Sequence, residues 1–165
     1  MKVAIMQPYL FPYIGYFQLI HSADIFVVHD DVQYIKGGWI NRNRILVNKQ
    51  DHMYTFSLKK ASSHLPINGR FFSEQFQMEK NKFFRILKAS YGKQGRYEEV
   101  ILLIEKILNA QVDEENIATI ITRSLKIISD YLNIQTTFIM SSDLKKNNYL
   151  TGESRVIDIN KHLNA

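Results

Sequence analysis

The sequence has no cysteine, which excludes a disulfide framework and thiolate chemistry. No apolar run approaches the roughly 18 residues that a membrane-spanning helix needs. The opening Met-Lys-Val-Ala-Ile-Met-Gln-Pro carries too short an apolar run for a signal peptide and has no small-residue cleavage site. These absences point to a soluble, cytoplasmic protein without a membrane span. Internal repeats and low-complexity tracts are missing too. The formal charge is +5, yet the lysines and arginines form no basic block of the kind nucleic-acid binders carry. A phosphorylated small molecule would need only a few of them.

What is present is an ordinary globular composition, 45% apolar and 22% charged, over 165 residues. That is enough for one domain with a core. Nine of its aromatics are tyrosines, whose apolar face and hydroxyl suit sugars and nucleobases as well as cores.

Apolar periodicity orders the chain. Residues 2–6 read as a short buried strand. Residues 7–12 form a loop, because Pro8 and Pro12 restrict themselves and their predecessors. Residues 13–22 read as a helix with Ile14, Phe17, Leu19 and Ile20 as its apolar face. Residues 24–28 form a second buried strand, completing a right-handed, parallel βαβ unit. Residues 42–48 and 52–59 read as a hairpin with Asn48-Lys49-Gln50-Asp51 as its turn, and 60–70 as a surface loop. Helical stripes follow over 79–91, at Val100 to Leu108, and at Ile117 to Leu132. Residues 135–140 return to a strand, and a last helix starts near Gly152. In such folds ligands bind at the carboxyl ends of the strands. Three suggestive clusters each follow an apolar strand: Gln7 to Tyr16, His29 to Asp31, and Ser141 to Asp143.

Each cluster has a chemical reading beside a bland one. Gln7, Pro8, Tyr9, Pro12 and Tyr16 suit a pocket wall, or a rigid turn that caps a strand. Asp30 and Asp31 suit a general base on an amine or a divalent-ion site, or turn chemistry. No third ligand has a recognisable spacing, so no metal site is assigned. His29 can share the acid–base role or be structural. Lys36, Trp39, Asn41, Arg42 and Arg44 suit a pyrophosphate clamp with a stacking ring, with Gly37-Gly38 allowing close backbone approach. The alternative is a solvated hairpin edge. Ser141 and Ser142 suit phosphate binding or capping. Tyr91, Arg96 and Tyr97 sit in a glycine-flanked break from which they can reach a site.

One stretch is recognisable: "MQPYLFPYIGYFQLIHSADIFVVHDDVQYIKGGWINRNRI", residues 6–45. It resembles the WbqC-like protein family of bacteria through Gln7-Pro8, Phe11-Pro12, Gly15-Tyr16-Phe17, Ala23-Asp24, Asp30-Asp31-Val32-Gln33, Lys36, Trp39, Asn41 and Arg42. The likeness weakens through Tyr91 to Tyr97 and returns at Ser141-Ser142 and Arg155 to Leu163. Family members sit in clusters for O-antigen and other surface polysaccharides. The resemblance implies a transferase that attaches an aminoacyl group, typically glycyl, to the amine of a nucleotide-linked amino sugar. Family members usually continue with a further strand and an aromatic-rich tail, and this chain ends at Ala165, where that strand would begin. The edge so left is one that a second copy could cover, as in a homodimer.

A more distant resemblance is to nucleotidyltransferases and synthetases with a His-x-Gly-His motif at a helix start. Here Tyr13-Ile14-Gly15-Tyr16 stands in that place, with tyrosine at both histidine positions. Tyrosine donates one hydrogen bond but carries no charge at neutral pH, while a helix N-terminus still attracts anions. The expected fold is therefore a single three-layer α/β domain over 1–165. It has a mostly parallel, Rossmann-like (nucleotidyltransferase-like) sheet, a β-hairpin, and a helical insertion at about 79–133. The residues leave three functions open. One is the aminoacyl transferase; its tRNA-borne donor, if it uses one, would give the +5 charge a purpose. The second is an adenylating enzyme using ATP with magnesium. The third is a non-catalytic sugar-nucleotide-binding subunit.

Overall fold

The structure is a computed structural model and describes residues 1–109 and 116–165. Three short strands form the main sheet: β1 (Val3–Met6), β2 (Ile25–Val28) and β5 (Thr137–Met140). Their order is β1-β2-β5 and both pairings are parallel. The central strand is the most apolar, and its Phe26, Val27 and Val28 are wholly buried, as a strand covered on both faces requires. Met6, Val28 and Met140 stand in register. The segments starting at Gln7, His29 and Ser141 therefore leave the sheet side by side at one end.

Helix α1 (Ile14–Ser22) links β1 to β2. Its inward face is Tyr16, Phe17 and Ile20, not the expected Ile14, Phe17, Leu19 and Ile20. Ile14 is 67% exposed. Tyr16 takes the core position because its hydroxyl finds a partner there, donating to the Gln7 carbonyl at 2.7 Å.

Strands β3 (Arg42–Val47) and β4 (Gln50–Thr55) form a separate antiparallel hairpin. Val47 pairs with Gln50, so the turn is only Asn48-Lys49 rather than the expected Asn48 to Asp51. Both turn residues have positive φ, 51° and 64°. A two-residue turn of that hand matches the twist of the flanking strands.

Three helices occupy the next stretch: α2 (Phe76–Tyr91), α3 (Tyr97–Leu108) and α4 (Ile117–Tyr131). Helix α2 begins before the expected position 79. Phe76 stacks on Phe72 at 4.1 Å and meets Phe56 edge-on at 5.3 Å, and this packing draws the helix start back. Asn116 caps α4, accepting from the amides of Ala118 and Thr119. The part of the expected insertion at 110–115 lies outside the described residues. Helix α5 (Gly152–His162) closes the chain. Among the described residues no helix is long and apolar enough to cross a membrane.

Candidate functional site

At the carboxyl end of the sheet, Asp30 is fully buried. Its Oδ1 accepts from the Ser142 amide at 3.0 Å. Its Oδ2 accepts from the Ser142 hydroxyl at 2.7 Å and from Asn68 Nδ2 at 3.1 Å. Asn116 Nδ2 in turn donates to the Asn68 carbonyl at 2.7 Å. One polar chain thus ties the ends of β2 and β5 to Asn68 of the 60–70 loop and to the start of α4. A carboxylate so enclosed holds elements together and has no open side toward a substrate.

Asp31 sits in a cluster of charges. Its Oδ2 is 2.6 Å from Lys146 Nζ and 2.5 Å from an Arg155 guanidinium nitrogen. Lys146 also donates to the Ser141 carbonyl. Burial alone would raise the Asp31 carboxyl, but the hydrogen bond and charge of Lys146, with the charge of Arg155, hold it below its ordinary value. The His29 ring lies 3.9 Å from Asp31 through Nε2, an atom with no hydrogen-bond partner. Burial lowers the imidazole pKa, and the two cations add to that against the pull of Asp31 and Asp30. Lys146, in the segment after β5, and Arg155, on α5, were not legible as site residues, because only the fold brings them to Asp31.

The loop before α1 and the segment that leads into β3 enclose an aromatic cleft of about 270 Å³. Its walls are Tyr9, Pro12, Tyr13, Trp39 and Asn43. Tyr13 is 73% and Trp39 44% exposed. The guanidinium groups of Arg42 and Arg44 stand 5.4 and 5.6 Å from the centre of the Trp39 ring. Phe11 holds a left-handed φ of 51°, rare for an aromatic residue. Asn43 Nδ2 clamps that turn by donating to the Phe11 carbonyl at 2.5 Å. Gly15 serves Tyr13: a Cβ there would stand 2.4 Å from the Tyr13 ring, so any side chain would push the ring out of its place. Pro8 is buried and Gln7 half-buried.

The expected site residues therefore fall into groups. His29, Asp30, Asp31, Ser141 and Ser142 meet at the sheet end. Tyr9, Tyr13, Trp39 and Arg42 meet around the aromatic cleft, with Gly15 behind Tyr13. Tyr16 is a core residue whose hydroxyl is raised in pKa by burial. Asn41 is buried with both ends of its amide engaged, by the Phe56 carbonyl and the Tyr34 hydroxyl. Tyr91 braces the hairpin, accepting from the Leu46 amide at 2.8 Å. Tyr91 and Arg96 line a different, apolar cleft with Ile45, Leu87 and Tyr97, and Arg96 pairs with Glu99 at 3.1 Å. Asn43 and Asn68 are further site residues that sequence reasoning missed.

Among the described residues no group of three or more His, Cys, Asp or Glu is placed to hold a metal ion. Asp30 and Asp31 do not fit magnesium. The oxygens of one are filled by three donors and the other is bound by two cations.

The comparison with known families decides the relationship. The model described as the WbqC-like protein family matches residues 7–165. The chain belongs to that family. Among curated proteins it is similar to "Uncharacterized protein Rv1507c" of Mycobacterium tuberculosis, 30% identical over 143 residues. The match covers 86% of this chain and 61% of the relative, so the chain spans less than two thirds of that protein's length. No solved structure matches it significantly.

Proposed function

We propose that this WbqC-like chain binds a nucleotide-linked amino sugar and transfers an aminoacyl group, glycyl by the family's expectation, to the sugar amine in surface-polysaccharide biosynthesis. The observation that carries the reading is the aromatic cleft of Tyr9, Tyr13 and Trp39 with Arg42 and Arg44 at the indole. A flat, exposed indole beside two guanidinium groups suits a base or sugar ring attached to phosphate. Lys36, expected in the same clamp, lines a different cleft with Tyr34 and Arg70. Tyr9 and Pro12 come from the loop that follows β1, and loops after parallel strands are where open α/β folds take their ligands.

Transfer forms an amide bond between the acyl carbon and the sugar nitrogen, breaks the acyl bond to the leaving group, and releases one proton from the amine. Asp30 and Asp31 act as positioning residues in this reading, because both are engaged. His29 is the group left to take the proton, since its Nε2 lacks a partner and burial keeps the ring neutral at pH 7. Nε2 is covered, so the reading requires the surroundings of the ring to open as substrate enters. The same engagement of both carboxylates favours a second reading, a sugar-nucleotide-binding subunit without catalysis.

A thermal-shift screen of UDP- and dTDP-linked amino sugars against ATP, with and without magnesium, tests the proposal. Ligands of the native state raise Tm by mass action. A rise with an amino-sugar nucleotide supports it, and a rise with ATP and magnesium alone contradicts it. Mass spectrometry of the bound sugar after incubation with donor then separates transferase from binding subunit.

A further inference from the structure

We infer that a second cleft, centred on Arg70 and flanked by Lys36, Lys59 and Lys60, is a binding site for the diphosphate group of a small molecule. This cleft, of about 700 Å³, shares no lining residue with the aromatic one, so the inference stands apart from the reaction proposed above. Four of its lining side chains are cations and none is Asp or Glu.

Arg70 is the centre of the case. Its side chain is buried, 9% exposed, and its guanidinium lies 4.9 Å over the Tyr34 ring. One guanidinium N–H reaches the Ser62 carbonyl at 3.1 Å. Nε has no partner, and among the described residues no carboxylate pairs with the group. The carboxylate of Glu79 bonds the lining residue Ser57, accepting from its amide and hydroxyl at 2.7 and 2.5 Å. A buried guanidinium without a counter-charge is costly to hold. An anion entering the cleft removes that cost and gains a forked donor.

The cleft is built in advance. The Tyr34 amide donates to the Leu65 carbonyl at 3.1 Å, and the Lys59 amide to the Phe71 carbonyl at 2.9 Å. Gln33 reaches the Ser63 carbonyl at 3.0 Å. These bonds fix both walls, so little ordering remains to be done on binding. Three exposed lysines around one buried arginine exceed the need of a single carboxylate. A diphosphate, with its several charges spread over several oxygens, matches them better.

The test is titration calorimetry at low salt with inorganic pyrophosphate on the wild-type chain, R70Q, K59Q/K60Q and W39A. Wild type is expected to bind, R70Q to weaken binding at least tenfold, and K59Q/K60Q to weaken it severalfold and flatten its salt dependence. W39A is expected to bind pyrophosphate as wild type does. Because Lys59 and Lys60 are exposed, their double variant keeps the fold even if R70Q does not. The inference is overturned if wild type fails to bind pyrophosphate at millimolar concentration, or if binding is indifferent to both R70Q and K59Q/K60Q. Pyrophosphate binding that survives R70Q but is lost in W39A would put the diphosphate in the aromatic cleft, overturning this inference while leaving the proposed function standing.

Discussion

Replacing Asp30 by Asn separates a structural carboxylate from a catalytic one. The change keeps the shape and removes the charge. Two orientations of the new amide are available. With its nitrogen at the Oδ1 position it opposes the Ser142 backbone N–H, a donor that cannot reverse. With its nitrogen at the Oδ2 position it opposes Asn68 Nδ2 and the Ser142 hydroxyl. The hydroxyl can rotate, but the Asn68 amide must flip. Either way at least one buried donor is disturbed, at about 1–3 kcal/mol, and the surviving bonds lose the extra strength a charged acceptor gives. The expected loss is about 2–4 kcal/mol, which for a chain of this size lowers Tm by of order 10 °C. Urea unfolding followed by circular dichroism measures it. A loss below about 1 kcal/mol, the range of ordinary surface changes, together with abolished turnover would refute the holding role and make Asp30 the base.

Other outcomes follow from the same geometry. Lys49 holds φ of 64° in the hairpin turn, so K49G is expected to stabilise the protein by about 1 kcal/mol, seen as a higher urea midpoint. His29 has its pKa lowered from 6.5 by burial. The unfolded chain then binds the proton more readily, and stability falls as pH drops below about 6.5. Tm measured from pH 7.5 to 5.5 should fall less in H29N than in wild type. Asp31 has its pKa lowered from 3.8, so its contribution is present above that pH and is lost as pH falls below it. D31N should therefore narrow the stability gap to wild type in strong acid.

The sheet and helices were legible because their apolar periods are strong. The run Asp24 to Val28 reads as a covered strand, and β2 is the buried centre of the sheet. The face of α1 was misread because hydropathy favours Ile14 over Tyr16, whereas burial went to the residue whose hydroxyl could be satisfied. The turn was misread because Asn48-Lys49 lacks the glycine that usually marks a turn of this hand. Site legibility stopped where partners are far apart in sequence. Ser142 lies 112 residues from Asp30, and Arg155 lies 124 from Asp31. Arg70 looked like one residue of a polar surface loop. Only the folded position, buried over Tyr34 without a counter-charge, marks it out.

The affinity of an amino-sugar nucleotide for wild type and W39A tests the central claim most directly. Stacking on an aromatic ring contributes about 1–3 kcal/mol per base. The account predicts that wild type binds and that W39A binds about 5- to 150-fold more weakly, with Tm unchanged because Trp39 is 44% exposed. Equal affinity in the two proteins would contradict the claim that the Tyr9–Tyr13–Trp39 cleft holds the nucleotide.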